Sequence, residues 1–115
     1  MKSIIVIPNY NDNEHLSKLI DTLMIKIGIQ ILVIDDGSKK EPLVDKSIHY
    51  LRNDINKGKG YSLIKAFRYA NNLGYTHAIT MDADLQHSPN DIDKFLDLDS
   101  KVDLVLGYRS FKSPM

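Results

Sequence analysis

The chain contains no cysteine, which excludes disulfides, thiolate catalysis and cysteine-based zinc sites. It also lacks an apolar run close to the roughly 18 residues that a membrane-spanning helix requires. Its start, Met1-Lys2-Ser3-Ile4-Ile5-Val6-Ile7, meets Pro8 and polar residues too soon for a signal peptide. A cytoplasmic location is expected, with peripheral attachment to a membrane left open. No sign of charge prevails: 15 Lys and Arg balance 15 Asp and Glu. Nothing global therefore points to nucleic acid or to an acidic membrane, although a neutral chain can still hold a charged cleft. Internal repeats, linkers and low-complexity segments are missing too. None of the four histidines stands at metal-ligand spacing from another.

What is present suits one globular domain over residues 1–115. A chain of this length buries roughly two thirds of its unfolded surface, enough for a real core. Ser3 to Ile7 is a short β-branched apolar run, expected as a strand covered on both faces and ending at Pro8. Leu16, Leu19, Ile20, Leu23 and Ile27 then recur at helical spacing. Asn11 or Asp12 is the expected N-cap of that helix and Gly28 its stop. Ile29 to Ile34 predicts a second buried strand, closed by the turn-rich Asp35-Asp36-Gly37-Ser38. Lys39 to Lys46 is polar, with a short helix expected around Pro42. Ile48 to Leu51 predicts a third strand, and Tyr61 to Leu73 a second amphipathic helix closed by Gly74. A strand over Ala78 to Met81 follows. Ser88-Pro89-Asn90-Asp91 is a helix start, with Ser as cap and Pro at the first turn. Leu104 to Leu106 predicts a last strand.

Strands alternating with helices imply an α/β fold: a mainly parallel sheet with helices on both faces, Rossmann-like. In such sheets ligands bind beyond the carboxyl ends of the strands. The unusual loops, Pro8–Asp12, Asp35–Ser38 and Asp82–His87, all follow strands.

Asp82, Asp84 and Gln86 are spaced two apart. On an extended backbone they share a face, and three oxygen-bearing groups there could hold Mg²⁺ or Mn²⁺. The chain has three Asp-x-Asp triplets, and roughly one or two are expected by chance at its Asp content. Asp91/Asp93 and Asp97/Asp99 fall in or near the expected third helix, where such a pair does not converge. Only Asp82/Asp84 follows a strand. Tyr10 offers a flat face for a base, Asp36 an acceptor for a ring N–H or a ribose hydroxyl, and Gly37 close backbone approach. Lys57, Lys59 and Arg109 could add positive charge for a diphosphate. Each has a plainer reading as a turn former or surface group. Lys57-Gly58-Lys59-Gly60 is not a P-loop, since Tyr61 follows where Ser or Thr should, and Leu63 stands where a dinucleotide fingerprint needs its third glycine.

Taken together, Ile5-Val6-Ile7-Pro8-Asn9-Tyr10-Asn11-Asp12, Val33-Ile34-Asp35-Asp36-Gly37-Ser38, Asn56-Lys57-Gly58-Lys59-Gly60 and Met81-Asp82-Ala83-Asp84-Leu85-Gln86-His87 resemble the ordered motifs of family 2 glycosyltransferases with the GT-A fold. The polyprenyl-phosphate sugar transferases are the nearest group, and Val105-Leu106-Gly107-Tyr108-Arg109 resembles their later Gly-x-Arg element. The resemblance implies an inverting transfer of sugar from a UDP- or GDP-sugar to a lipid-phosphate or saccharide acceptor, with Mg²⁺ or Mn²⁺ as cofactor. It implies that Pro8, Tyr10, Asp12, Asp36, Lys59, Asp82 and Arg109 bind the nucleotide-sugar, and that Asp82, Asp84 and Gln86 hold the metal. The family often has Glu where this chain has Asp12. A general base is not evident in the sequence. The resembled enzymes continue past the Gly-x-Arg element, so the chain is expected to be truncated relative to them. On that expectation a nucleotide-sugar-binding module that needs a partner is the alternative, and an exposed sheet edge makes a homo-oligomer an expectation too. A phospho-acceptor signalling domain is less compatible: its acidic pair belongs after the first strand and its single Asp after the third, whereas here they follow the second and fourth.

Overall fold

The computed structural model describes residues 2–25, 28–83 and, as backbone, 108–110. Strand β1 is Ser3–Asn9, helix α1 Asn13–Met24, strand β2 Ile31–Asp35 and strand β3 His49–Arg52. Helix α2 is Lys59–Asn72, strand β4 His77–Thr80 and strand β5 Tyr108–Ser110. The sheet order is β3-β2-β1-β4-β5. The first four strands are parallel, with Ile5 opposite Ile31, Ile5 also opposite Ile79, and Val33 opposite Tyr50. Strand β5 runs antiparallel to β4, with Arg109 opposite Ala78.

The apolar stretches of β1 and β2 follow from their position between two helices. Alternate residues of β1 and β2 feed opposite cores. Ile5, Ile7, Ile31 and Val33 pack with Leu16, Leu19, Ile20 and Leu23 of α1. Ile4, Val6, Leu32 and Ile34 pack on the other face with Ala66, Phe67 and Ala70 of α2. The α/β architecture expected from the sequence is therefore the one observed.

Several boundaries differ from expectation: β2 starts at Ile31 instead of Ile29, β3 and β4 are each offset by one residue, and four further differences follow. Strand β1 runs through Pro8 to Asn9 instead of stopping at Pro8. Ile5 donates across to Gln30 on the β2 side, whereas the Val6 carbonyl accepts from Met81 on the β4 side. Alternation turns Pro8 toward β4, so its missing N–H removes nothing from the β2 ladder. Residues 39–46 form no helix. Side chains tie this loop down instead: Asn13 Nδ2 donates to the Lys40 carbonyl and the Tyr50 hydroxyl donates to Glu41. Asp45 then accepts from both the backbone N–H and the hydroxyl of Ser47, an Asx turn that leads into β3. Helix α2 starts two residues before Tyr61, at Lys59. Finally, Tyr108–Ser110 is a strand, where only a segment beyond the last strand was expected. The expected strand Leu104 to Leu106 and the helix after Ser88 lie outside the described residues, as does Ile27 of the first helix.

Gly74 ends α2 as the sequence predicts. Its φ is +92°. Its N–H donates to the Asn71 carbonyl and that of Tyr75 to the Ala70 carbonyl, the paired bonds of a Schellman motif. Tyr75 then folds back into the core beside Ala70.

Candidate functional site

Parallel strands bring the ends of β1, β2 and β4 to one edge of the sheet. The chain leaves β1 toward β2 on one side, while β4 lies on the other. The gap between β1 and β4 is thus the switch point at which open α/β sheets bind ligands. A cleft of about 290 Å³ occupies it, lined by Pro8, Asn9, Tyr10, Asp12, Asp36, Asn56, Gly58, Lys59, Ser62, Asp82 and Ala83. Six of the residues singled out in the sequence meet there: Pro8, Tyr10, Asp12, Asp36, Lys59 and Asp82.

Asp35, the last residue of β2, and Asp36 just beyond it do different work. Asp35 is fully buried. It pairs with the Arg52 guanidinium, accepts from Asn9 Nδ2 at 3.0 Å, and accepts from the Ser38 N–H at 3.0 Å and hydroxyl at 2.6 Å. Arg52 also donates to the Ser38 carbonyl. This network fixes the turn after β2 against the end of β1, where the Asn11 N–H in turn donates to Ser38 Oγ. A buried charge of this kind is tolerable only with full pairing.

Asp36 points instead to the loop before α2. One carboxylate oxygen accepts from Asn53 Nδ2 and the Lys57 N–H, at 2.9 and 2.7 Å. The other accepts from Asn56 Nδ2 and the Gly58 N–H, each at 2.9 Å. Four donors fill the acceptor capacity of a carboxylate. Burial pushes the Asp36 pKa up. The hydrogen bonds, led by those from Lys57, Asn53 and Gly58, outweigh it and hold the carboxyl below its ordinary value. Gly37 makes this loop approach possible: with φ +76°, a Cβ there would lie 2.6 Å from the Asn56 nitrogen.

Lys59 is the first residue of α2, and its ammonium lies 2.7 Å from Asp82 Oδ1. Both side chains stay open to solvent, at 58% and 40% exposure. Tyr10 is exposed at the mouth of the cleft. Asp12 caps α1 through its backbone carbonyl, which accepts from the Leu16 N–H, and its side chain pairs with His15 Nδ1 at 2.6 Å. Lys57, the further cation considered from sequence, lies with its ammonium 5.9 Å from the Tyr61 ring centroid. Arg109 is described by its backbone alone, in β5. Asp84 and Gln86 lie outside the described residues, and among the described residues no three acidic or imidazole groups gather as a metal cluster.

Asn9, Asn53, Asn56 and Ser62 carry much of this geometry and were not singled out from sequence. Asn53 and Asn56 lie in a polar loop, Asn9 ends β1 and Ser62 is a single polar residue within α2, so none of them gives a periodic signal. The available clue was the adjacent pair Asp35-Asp36 directly after an apolar strand, because two acids brought to a core edge need several donors nearby. Asn9 Oδ1 is buried without a partner among the described residues, while its Nδ2 donates to Asn13 as well as to Asp35.

Comparison with known proteins gives this geometry a family. An undecaprenyl-phosphate mannosyltransferase of Micrococcus luteus is 30% identical over 118 residues, covering 95% of this chain and 49% of the relative. A dolichol-phosphate mannosyltransferase of Pyrococcus furiosus is 32% identical over 123 residues, covering 97% and 34%. Of known structures, a mannosyltransferase from Pyrobaculum calidifontis, solved in complex with GDP-Man and Mn²⁺, superposes with a TM-score of 0.60 at 16% identity. That match covers 77% of this chain and 29% of the other, and it speaks for the fold. The chain spans about half the length, or less, of the curated relatives it matches. The model of the family described as Glycosyl transferase family 2 matches residues 4–113, and the chain belongs to that family.

Proposed function

We propose that this chain forms the donor half of a site that moves a sugar, with inversion, from a UDP- or GDP-sugar to a polyprenyl phosphate or a saccharide. The observation that carries the reading is the cleft between β1 and β4, which gathers an exposed aromatic ring, a fixed acidic wall and a cation–carboxylate pair. Tyr10 stacks on the base. Pro8 and Asp12 line the nucleotide end, and Asp36 shapes it by ordering the Asn56–Gly58 loop. Lys59 faces the diphosphate, and the resemblance of Gly107-Tyr108-Arg109 to the Gly-x-Arg element adds Arg109. The two relatives named for polyprenyl-type phosphates support a lipid-phosphate acceptor over a saccharide. Attachment at a membrane surface would follow from such an acceptor; among the described residues no helix is long and apolar enough to cross a membrane.

A divalent metal fits the residues present. Asp82 is a half-exposed carboxylate at the cleft that already holds a cationic partner, the charge and hardness that Mg²⁺ or Mn²⁺ seeks. Asp82, Asp84 and Gln86 would hold it. Bound there, it supplies Lewis-acid neutralisation of the departing diphosphate. The acceptor oxygen forms its bond to the anomeric carbon as the bond to the diphosphate breaks and the electron pair leaves with the nucleotide. A phosphate acceptor is already ionised and needs no general base, whereas a hydroxyl would.

Calorimetric titration with UDP, GDP and their sugars, with and without Mn²⁺, tests this. Wild type should bind one nucleotide class in a metal-dependent way, and Asp84→Ala should weaken that binding at least about tenfold. No binding, or metal-independent binding that Asp84→Ala leaves unchanged, would overturn the reading.

A further inference from the structure

The contact between Lys59 and Asp82 deepens this donor-site reading and rests on it. Asp82 Oδ1 has the Lys59 ammonium at 2.7 Å. A cation on either carboxylate oxygen would lie within a few ångströms of that ammonium, and the two positive charges repel even where solvent screens them. The metal therefore competes with Lys59 for Asp82.

The two ends of Lys59 differ in freedom. Its backbone begins α2 directly after Lys57 and Gly58, whose N–H groups are both held by the buried Asp36. Its side chain is more than half exposed on a long flexible stem. A fixed base and a movable head suit an ammonium that changes partner without moving the helix. A nucleoside diphosphate in the cleft would offer that head more negative charge than one carboxylate does.

We propose that Lys59 is the resident counter-ion of Asp82, and that an arriving nucleoside diphosphate draws it away and so opens Asp82 to the metal. Free metal then binds weakly, nucleotide and metal bind cooperatively, and the cooperativity is reciprocal. Lys59 is a positioning residue here, and its effect on metal affinity has the opposite sign to its effect on nucleotide affinity.

That opposition is the test. Three quantities are measured by calorimetry on the full chain: Mn²⁺ alone, GDP and UDP alone, and Mn²⁺ with saturating nucleotide. Lys59→Gln should tighten Mn²⁺ alone about two- to fivefold, the strength of a solvent-exposed ion pair. It should weaken metal-free nucleotide binding about threefold or more, and so reduce the coupling between the two ligands. Lys59→Arg should return both affinities toward wild type. Arg68→Gln, which removes the same charge from the exposed face of the same helix, should change neither. In the wild type, the Lys59 Cε resonance should shift on adding GDP or UDP without metal. Mn²⁺ binding that is unchanged or weaker in Lys59→Gln overturns the exchange, as does tightening of equal size in Arg68→Gln. If wild type binds Mn²⁺ and nucleotide but shows no opposed effects, the exchange fails and the donor site stands. If wild type binds neither, the donor site fails with it.

Discussion

Asp35 and Asp36 are neighbours in sequence with opposite allegiances. One locks the turn to β1 and Arg52, the other locks the loop that launches α2. Asp36 also gives the chain a pH signature. Its carboxyl sits below the ordinary value in the folded state, with burial opposing and the loop hydrogen bonds prevailing. A depressed acid contributes stability that is present above its unfolded value near 4 and is lost as pH falls through its folded value. Asp36→Asn should therefore cost about 2–4 kcal/mol at pH 7, where it turns an N–H₂ toward donors. The cost should shrink as pH is lowered from about 4. Urea unfolding of both proteins between pH 7 and pH 3 measures this, and a gap that is constant with pH would contradict it. The sequence placed Asp36 in the site but not its anchoring role. That role depends on Asn53 and Asn56, which become neighbours of Asp36 only once β3 and α2 are in place.

At the scale of elements, what could be read ahead was what local chemistry decides. The apolar runs of β1 and β2, the 3–4 spacing of α1 and the glycine that ends α2 each declare themselves within a few residues. What could not be read depends on partners distant in sequence. Strand β5 exists because Tyr108–Ser110 pairs with β4, and nothing within those three residues announces it. Residues 39–46 carry a proline at a position that suits a first helical turn, yet the loop finds its bonds on Asn13, Tyr50 and Ser47. The end of α2 offers an element-scale prediction. Gly74 has φ +92°, and the nearest atom to a Cβ there is Lys2 Nζ at 3.8 Å, so Gly74→Ala meets strain in the backbone alone. The expected loss is about 1 kcal/mol, read as a lowered denaturation midpoint with an unchanged denaturant slope. A loss well above that would mean that Tyr75 had also left the core.

For the whole molecule, the cleft is made by three strand ends and one helix start, and no element holds it alone. A ligand that bridges them should stabilise the entire fold. At a nucleotide concentration about 100-fold above its dissociation constant, with Mn²⁺ present, the gain is about 2.7 kcal/mol. For a chain of this size that corresponds to a rise of about 10 °C in melting temperature. Thermal unfolding with GDP or UDP plus Mn²⁺ tests this, and an unshifted midpoint with both would count against the cleft as the nucleotide site. The position of Pro8 bears on why the cleft is there at all. The last rung between β1 and β4 runs from the Met81 N–H to the Val6 carbonyl. The next would need an N–H at residue 8 aimed at the Met81 carbonyl, and proline has none. The two strands therefore part company one residue before Asp82, as a zip does at its stop. An imino acid on the central strand thereby frees the aspartate of its neighbour to face a ligand instead of a ladder.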